Sequence, residues 1–254
     1  MPAPNATQRF SDRVDNYVRY RPGYPGEVLD LLRDRCGLTR QAQIADIGCG
    51  TGIFTRILLE NGNPVFGIEP NQEMREAGDG FLAGFPNFRS IGATAEKTTL
   101  KDGSVDFVTA AQAAHWFDRE PTRREFARIL KPGGWVVLLW NERLTEGTPF
   151  LAEYEQLLLQ FGTDYAEVRH ERTTDTIGEF FAPARCELET FRTRQVFDFP
   201  GLEGRVFSSS YIPAPGDPRS APLREALRDL FARHQADGKV AFDYDTKVFF
   251  GRQS

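Results

Sequence analysis

Ile44-Ala45-Asp46-Ile47-Gly48-Cys49-Gly50-Thr51-Gly52-Ile53-Phe54-Thr55 is the stretch whose reading decides the fold. Ile44 to Ile47 is a short apolar run and reads as a buried strand. Gly48, Gly50 and Gly52 make a turn, and Phe54 onward carries a helical pattern. Strand, glycine turn and helix form the opening unit of a nucleotide-binding α/β domain. Glycines let a ligand lie against the backbone, and the helix start leaves N–H groups unpaired. The spacing is Gly-x-Gly-x-Gly, with Ile53 where a dinucleotide fingerprint needs a third small residue. That argues against a pyrophosphate on the helix N-terminus, and so against a nicotinamide-dependent oxidoreductase. A second apolar run, Val65-Phe66-Gly67-Ile68, ends at Glu69, about 20 residues past the turn, where a carboxylate can hold a ribose diol. A turn suited to a ligand without phosphates, plus a diol-binding acid, points to a nucleoside.

Working outward, the chain has 254 residues, enough for one sizeable domain with an insertion. Hydrophobic residues at 40% and charged residues at 26% fit an ordinary globular protein. A net charge of −5 and no lysine-rich run disfavour nucleic acid as a partner. No apolar stretch is long enough for a membrane span, and residues 1–6 lack the core of a signal peptide. The three cysteines show no paired spacing, which predicts a reducing cytoplasm, no disulfide and no metal site. Cys49 reads as a small residue inside the turn.

The first motif resembles that of the class I S-adenosylmethionine-dependent methyltransferases in Asp46-Ile47-Gly48-Cys49-Gly50-Thr51-Gly52, and further segments extend the resemblance. Tyr17-Val18-Arg19-Tyr20-Arg21-Pro22-Gly23-Tyr24-Pro25 is similar to a segment that precedes the domain in small-molecule members and folds over the cofactor as a lid. It implies Tyr17 and Arg21 near the donor's methionine carboxylate. Gly92-Ala93-Thr94-Ala95-Glu96 resembles the adenine-binding loop, with Thr94 where an aspartate is frequent. Glu96 either compensates for it or caps the loop. Ala110-Ala111-Gln112-Ala113-Ala114-His115-Trp116-Phe117 follows strand four and resembles the family's Ala-x-x-x-His-Trp-Phe segment. Two readings stand for His115: a group that orients or deprotonates the acceptor, or a histidine hydrogen-bonded in the helix after the strand. Trp116 and Phe117 read as core. Leu130-Lys131-Pro132-Gly133-Gly134 before an apolar strand matches a family turn.

The resemblance implies an α/β fold with a doubly wound, mostly parallel seven-stranded sheet, its last strand antiparallel, and a helical lid. The chain divides into 1–36, N-terminal lid and helix; 37–141, donor-binding core; 142–185, helical insertion over the acceptor; and 186–254, completing the sheet. The implied cofactor is S-adenosylmethionine, held by Tyr17, Arg21, Asp46, Gly48, Cys49 and Gly50. Glu69, Pro70, Met74, Ala95, Glu96 and Gln112 complete the set, with His115 as the catalytic candidate. The implied activity is methyl transfer to a small-molecule acceptor, with no nucleic acid and no membrane. A donor-binding protein without turnover is the alternative.

The expected elements are helices over 27–36, 54–61, 71 onward, 122–130, 201–211 and 222–235, and a mainly helical stretch over 141–181. The expected strands cover 43–47, 64–68, 88–91, 104–109, 135–140, 186–199 and 240–251.

Overall fold

The computed structural model describes residues 20–163, 165, 177–181, 184–209, 211–213 and 216–252. The first motif folds as its pattern dictates. Strand β1 (Ile44–Ile47) is buried throughout, because apolar residues face both layers of helices. Its neighbours are β2 (Val65–Ile68), β3 (Phe88–Ile91), β4 (Val105–Ala111) and β5 (Leu130–Arg143). Two later strands, β6 (Glu187–Phe197) and β7 (Val240–Arg252), complete one sheet in the order β3-β2-β1-β4-β5-β7-β6. The first five run parallel; β7 is antiparallel to both β5 and β6, between which it lies. The order reverses between β1 and β4, and in such sheets the crevice outside that switch point takes the ligand.

Helices α1 (Glu27–Cys36), α2 (Ile53–Glu60), α3 (Gln72–Phe81) and α4 (Arg119–Ile129) flank the parallel strands. Asn71 caps α3 as its sequence suggests, its side chain accepting from the Met74 amide at 2.8 Å. One apolar core packs Val108, Leu138 and Trp140 with Phe126 and Ile129 of α4. The opposite core packs Val28, Leu32, Phe54 and Leu58 of α1 and α2 against Val137 and Phe250. A third cluster joins α5 (Pro149–Phe161), α6 (Phe199–Phe207) and α7 (Ser220–His234) to Phe197, Phe242 and Tyr244. The edge strand β6 is guarded by cross-strand pairs, Arg192 to Asp245 at 2.8 Å and Arg194 to Asp243 at 2.6 Å.

Several boundaries differ from the sequence reading. Helix α4 starts at Arg119, not Thr122, since Pro121 is tolerated in a first turn whose N–H groups have no helical partner. Strand β5 runs from Leu130 to Arg143, well beyond 135–140. Lys131–Gly134 forms an irregularity within it rather than a separate turn, because the register with β4 shifts there. Asn141, Glu142 and Arg143 stay extended because they pair with Thr246, Asp245 and Tyr244 of β7. The stretch 141–181 is therefore helical only at α5 and in a short 3₁₀ turn, Ile177–Phe180, among the described residues. Helix α6 begins two residues early, at an Asp198 cap that accepts from the Gly201 amide at 2.8 Å.

Candidate functional site

A cavity of about 510 Å³ opens at the switch point. Gly48, Gly50 and Gly52 all have φ between 56° and 85°, the left-handed region that suits glycine. A Cβ on Gly48 would stand 2.5 Å from the Ala113 side chain, so the turn and the β4 loop can approach only with glycine there. Gly48, Cys49, Gly50 and Thr51 line the cavity together with Asp46.

Asp46 is 1% exposed and accepts from Thr55 Oγ1 at 2.6 Å and Thr109 Oγ1 at 2.8 Å. One carboxylate thus ties β1 to α2 and β4. Burial pushes its carboxyl up to about 6, against the pull of the two hydroxyls. Glu69, at the end of β2, also lines the cavity and is buried. Its Oε2 accepts from the Gly50 amide at 3.0 Å and its Oε1 from the Asn71 amide at 2.9 Å. Burial raises its carboxyl and the two amides partly offset that. The Cys49 thiol is held well above its ordinary range by burial, then by Asp46 and Glu69, so it stays protonated. Its Sγ lies 3.0 Å from where a Cβ of Gly67 would stand, as expected of a small packing residue.

Pro70, Met74, Ala95 and Glu96 also line the cavity. Met74 is 5% exposed, so it is a core residue and a wall residue at once. Glu96 Oε1 accepts from the Asp118 amide at 2.9 Å, which ties its loop to the start of α4. Gln112 takes a φ of 58°, unusual for a residue with a Cβ. Its Nε2 donates to the Asn141 carbonyl at 3.0 Å, while its Oε1 is buried without a hydrogen bond. Thr51 Oγ1 is likewise buried and unpartnered. Both residues line the cavity, so these orphaned atoms suit a polar ligand.

Of the segment that the sequence reads as a lid, Tyr20 to Tyr24 lie within the described residues, and Arg21, Pro22 and Tyr24 line the cavity. Arg21 donates to the Ser208 carbonyl at 3.2 Å, Gln195 Nε2 to the Tyr20 carbonyl at 3.1 Å, and Asn141 Nδ2 to the Gly23 carbonyl at 3.0 Å. Tyr17 lies outside the described residues.

His115 does not face the cavity. It sits in a 3₁₀ turn, Ala114–Trp116, which brings Ala113 and Trp116 to the wall and leaves His115 exposed. Its ring packs 4.5 Å from Trp116 and 5.3 Å from Trp140, centroid to centroid. Trp116 and Phe117, read as core in the sequence, are half-buried and line the cavity, and Phe117 also packs against the first core. Sequence reasoning also missed Asn141, Arg143, Tyr165, Arg205, Tyr211 and Tyr244, which line the same cavity. The polar triplet Asn141-Glu142-Arg143 at the end of an apolar strand was a usable signal for the first two. Nothing local marks the others.

Among the described residues there is no cluster of metal-ligating side chains, and no helix is long and apolar enough to cross a membrane.

A family model described as a methyltransferase domain matches residues 45–138. An uncharacterized methyltransferase of Mycobacterium tuberculosis is 34% identical over 228 residues, covering 89% of this chain and 87% of its own length. Demethylmenaquinone methyltransferase of Staphylococcus aureus is 28% identical over 207 residues, covering 78% of this chain and 77% of its own. A solved structure of a candidate type II methyltransferase from Anaeromyxobacter dehalogenans superposes with a TM-score of 0.68 at 20% identity. It covers 92% of this chain and 98% of its own, a likeness of fold.

Proposed function

Because this chain belongs to the class I S-adenosylmethionine-dependent methyltransferase family, we propose that it transfers a methyl group from S-adenosylmethionine to a small-molecule acceptor. The observation that carries this reading is Glu69, a buried carboxylate tethered to the glycine turn through the Gly50 amide and lining the cavity. Each of its oxygens accepts one backbone N–H and keeps a lone pair for a ribose hydroxyl.

S-adenosylmethionine supplies, when bound, a methyl group already activated on a sulfonium. The protein's work is then to hold, align and dry the site, and alignment alone is worth about 7–11 kcal/mol in favourable cases. Gly48 and Gly50 admit the donor against the backbone, and Glu69 holds the ribose. Ala95 leaves room for the base, with Met74 beside it. Thr51 Oγ1 and Gln112 Oε1 offer it unused hydrogen-bonding capacity. Arg21 pairs with the methionine carboxylate. Tyr24, Trp116 and Phe117 exclude water at the mouth. We assign no proton transfer to His115, since it is exposed outside the wall.

Isothermal titration with S-adenosylmethionine and S-adenosylhomocysteine tests the reading. The native protein should bind both. Glu69→Ala should weaken each about tenfold or more, as expected for losing hydrogen bonds to a charged group. Unchanged affinity would remove Glu69 from the donor site, and no binding by native protein would overturn the reading. Binding without methyl transfer to any of a panel of small acceptors would leave a donor-binding protein.

A further inference from the structure

Beyond the donor site, the cavity wall includes two arginines that the donor reading does not use, Arg143 and Arg205. Arg143 ends β5 and faces Tyr244 of β7 in register. Its Nη2 pairs with Glu155 Oε2 of α5 at 2.5 Å and donates to the Tyr165 hydroxyl at 3.1 Å. That guanidinium is neutralised. Arg205, on α6, is not. It is 6% exposed, and its hydrogen bonds go to neutral oxygens: Ser209 Oγ at 3.1 Å and the Tyr244 hydroxyl at 3.4 Å. Among the described residues no carboxylate pairs with it. Of the two buried guanidiniums, Arg143 alone has a carboxylate partner among these residues, Glu155.

An arginine stays charged, and an uncompensated buried charge is among the costliest features a fold can carry. Unpaired buried cations occur where a ligand brings the counter-charge. The phenol of Tyr211 sits in the same field: burial pushes it up, and Arg205, Arg21, a hydrogen bond with Ser209 and then Arg143 together bring it below its ordinary value. Three guanidiniums, of Arg21, Arg143 and Arg205, line the cavity, and Tyr165, Tyr211 and Tyr244 line it with them.

We infer that the methyl acceptor is an anion, and that Arg205, with the hydroxyl of Tyr211, receives its carboxylate or phosphate oxygens. This rests on the cavity holding both donor and acceptor. Arg21, at the rim, serves the donor's own carboxylate, and Arg205 serves the acceptor.

The test uses full-length protein saturated with S-adenosylhomocysteine, titrated by calorimetry with succinate, phenylacetate and phenyl phosphate, each carboxylate beside its neutral amide. Binding by the anions and not by the amides is expected. Preference for the carboxylates or for phenyl phosphate then identifies which oxyanion the pocket takes. In Arg205→Met, anion affinity should fall at least about thirtyfold while S-adenosylhomocysteine affinity changes less than about twofold, and Arg205→Lys should restore part of the loss. Native protein that binds the amides as well as the anions, or neither, would overturn the inference whether or not the variants fold. So would Arg205→Met that keeps anion binding. Arg205→Met that loses S-adenosylhomocysteine binding would assign the arginine to the donor's carboxylate instead, overturning the acceptor role while leaving the methyltransferase reading intact.

Discussion

Asp46 joins strand and helix through a single carboxylate, and its buried position makes it a reporter of folding. Its carboxyl is raised from an ordinary 3.8 to about 6 in the fold. Between those values the folded chain binds more protons at Asp46 than the unfolded chain does. The stability this gives is complete below about pH 4 and is lost as pH rises through about 6. Asp46→Asn, neutral at every pH, removes the effect. The stability difference between native protein and variant should therefore shift by on the order of 3 kcal/mol between pH 4 and pH 7, in favour of the variant at the higher pH. Urea midpoints at the two pH values measure this, and a pH-independent difference would contradict it. The carboxylate itself was readable in the motif. Its grip on Thr55 and Thr109 was not, since Thr109 lies on a strand far along the chain.

At the scale of elements, α6 carries a notch. A Cβ on Gly204 would stand 2.1 Å from the Tyr20 ring, so this glycine seats the described start of the lid segment. Gly204→Ala should favour the helix by up to about 1 kcal/mol while pushing Tyr20 off its seat. The two readouts should part: a melting temperature that holds or rises, and a several-fold weaker affinity for S-adenosylhomocysteine. Unchanged affinity would detach this segment from donor closure. Elements built on local chemistry were legible in the sequence. The glycine turn, the Asn71 cap and the bond from the Asn71 amide to Glu69 each depend on neighbours within a few residues. This part of the cavity was illegible because Arg143, Tyr165, Arg205 and Tyr244 come from four places in the chain and meet only through β7 pairing and the packing of α5 and α6 on α7. Of the two readings the sequence left for His115, the catalytic one has no support in its place, since the 3₁₀ turn after β4 leaves the side chain exposed and outside the cavity lining.

Across the whole molecule, β7 is the common member of all three cores: Phe249 packs with α4, Phe250 with α1 and α2, and Phe242 and Tyr244 with the helices α5 to α7. Donor and acceptor ends of the cavity are thereby one body. Ligand binding should be felt as global stability: S-adenosylhomocysteine at a hundred times its dissociation constant should add about 2.7 kcal/mol and raise the melting temperature by about 5–10 °C. Glu69→Ala at the same concentration, with its affinity about tenfold lower, should keep about 1.4 kcal/mol, roughly half of that shift, in a thermal scan. The position of β7 has a further consequence during biosynthesis. Strand β5 leaves the ribosome with Val137 to Trp140 ready and its outer edge unpaired. The strand that covers that edge is the last of the seven to be made, about a hundred residues later, which at about 5–20 residues per second is a wait of roughly 5–20 s. Through that interval the nascent chain displays a long apolar strand edge to the cytosol of whatever cell makes it, so recovery of native protein should depend on translation speed and on chaperone supply before it depends on final stability.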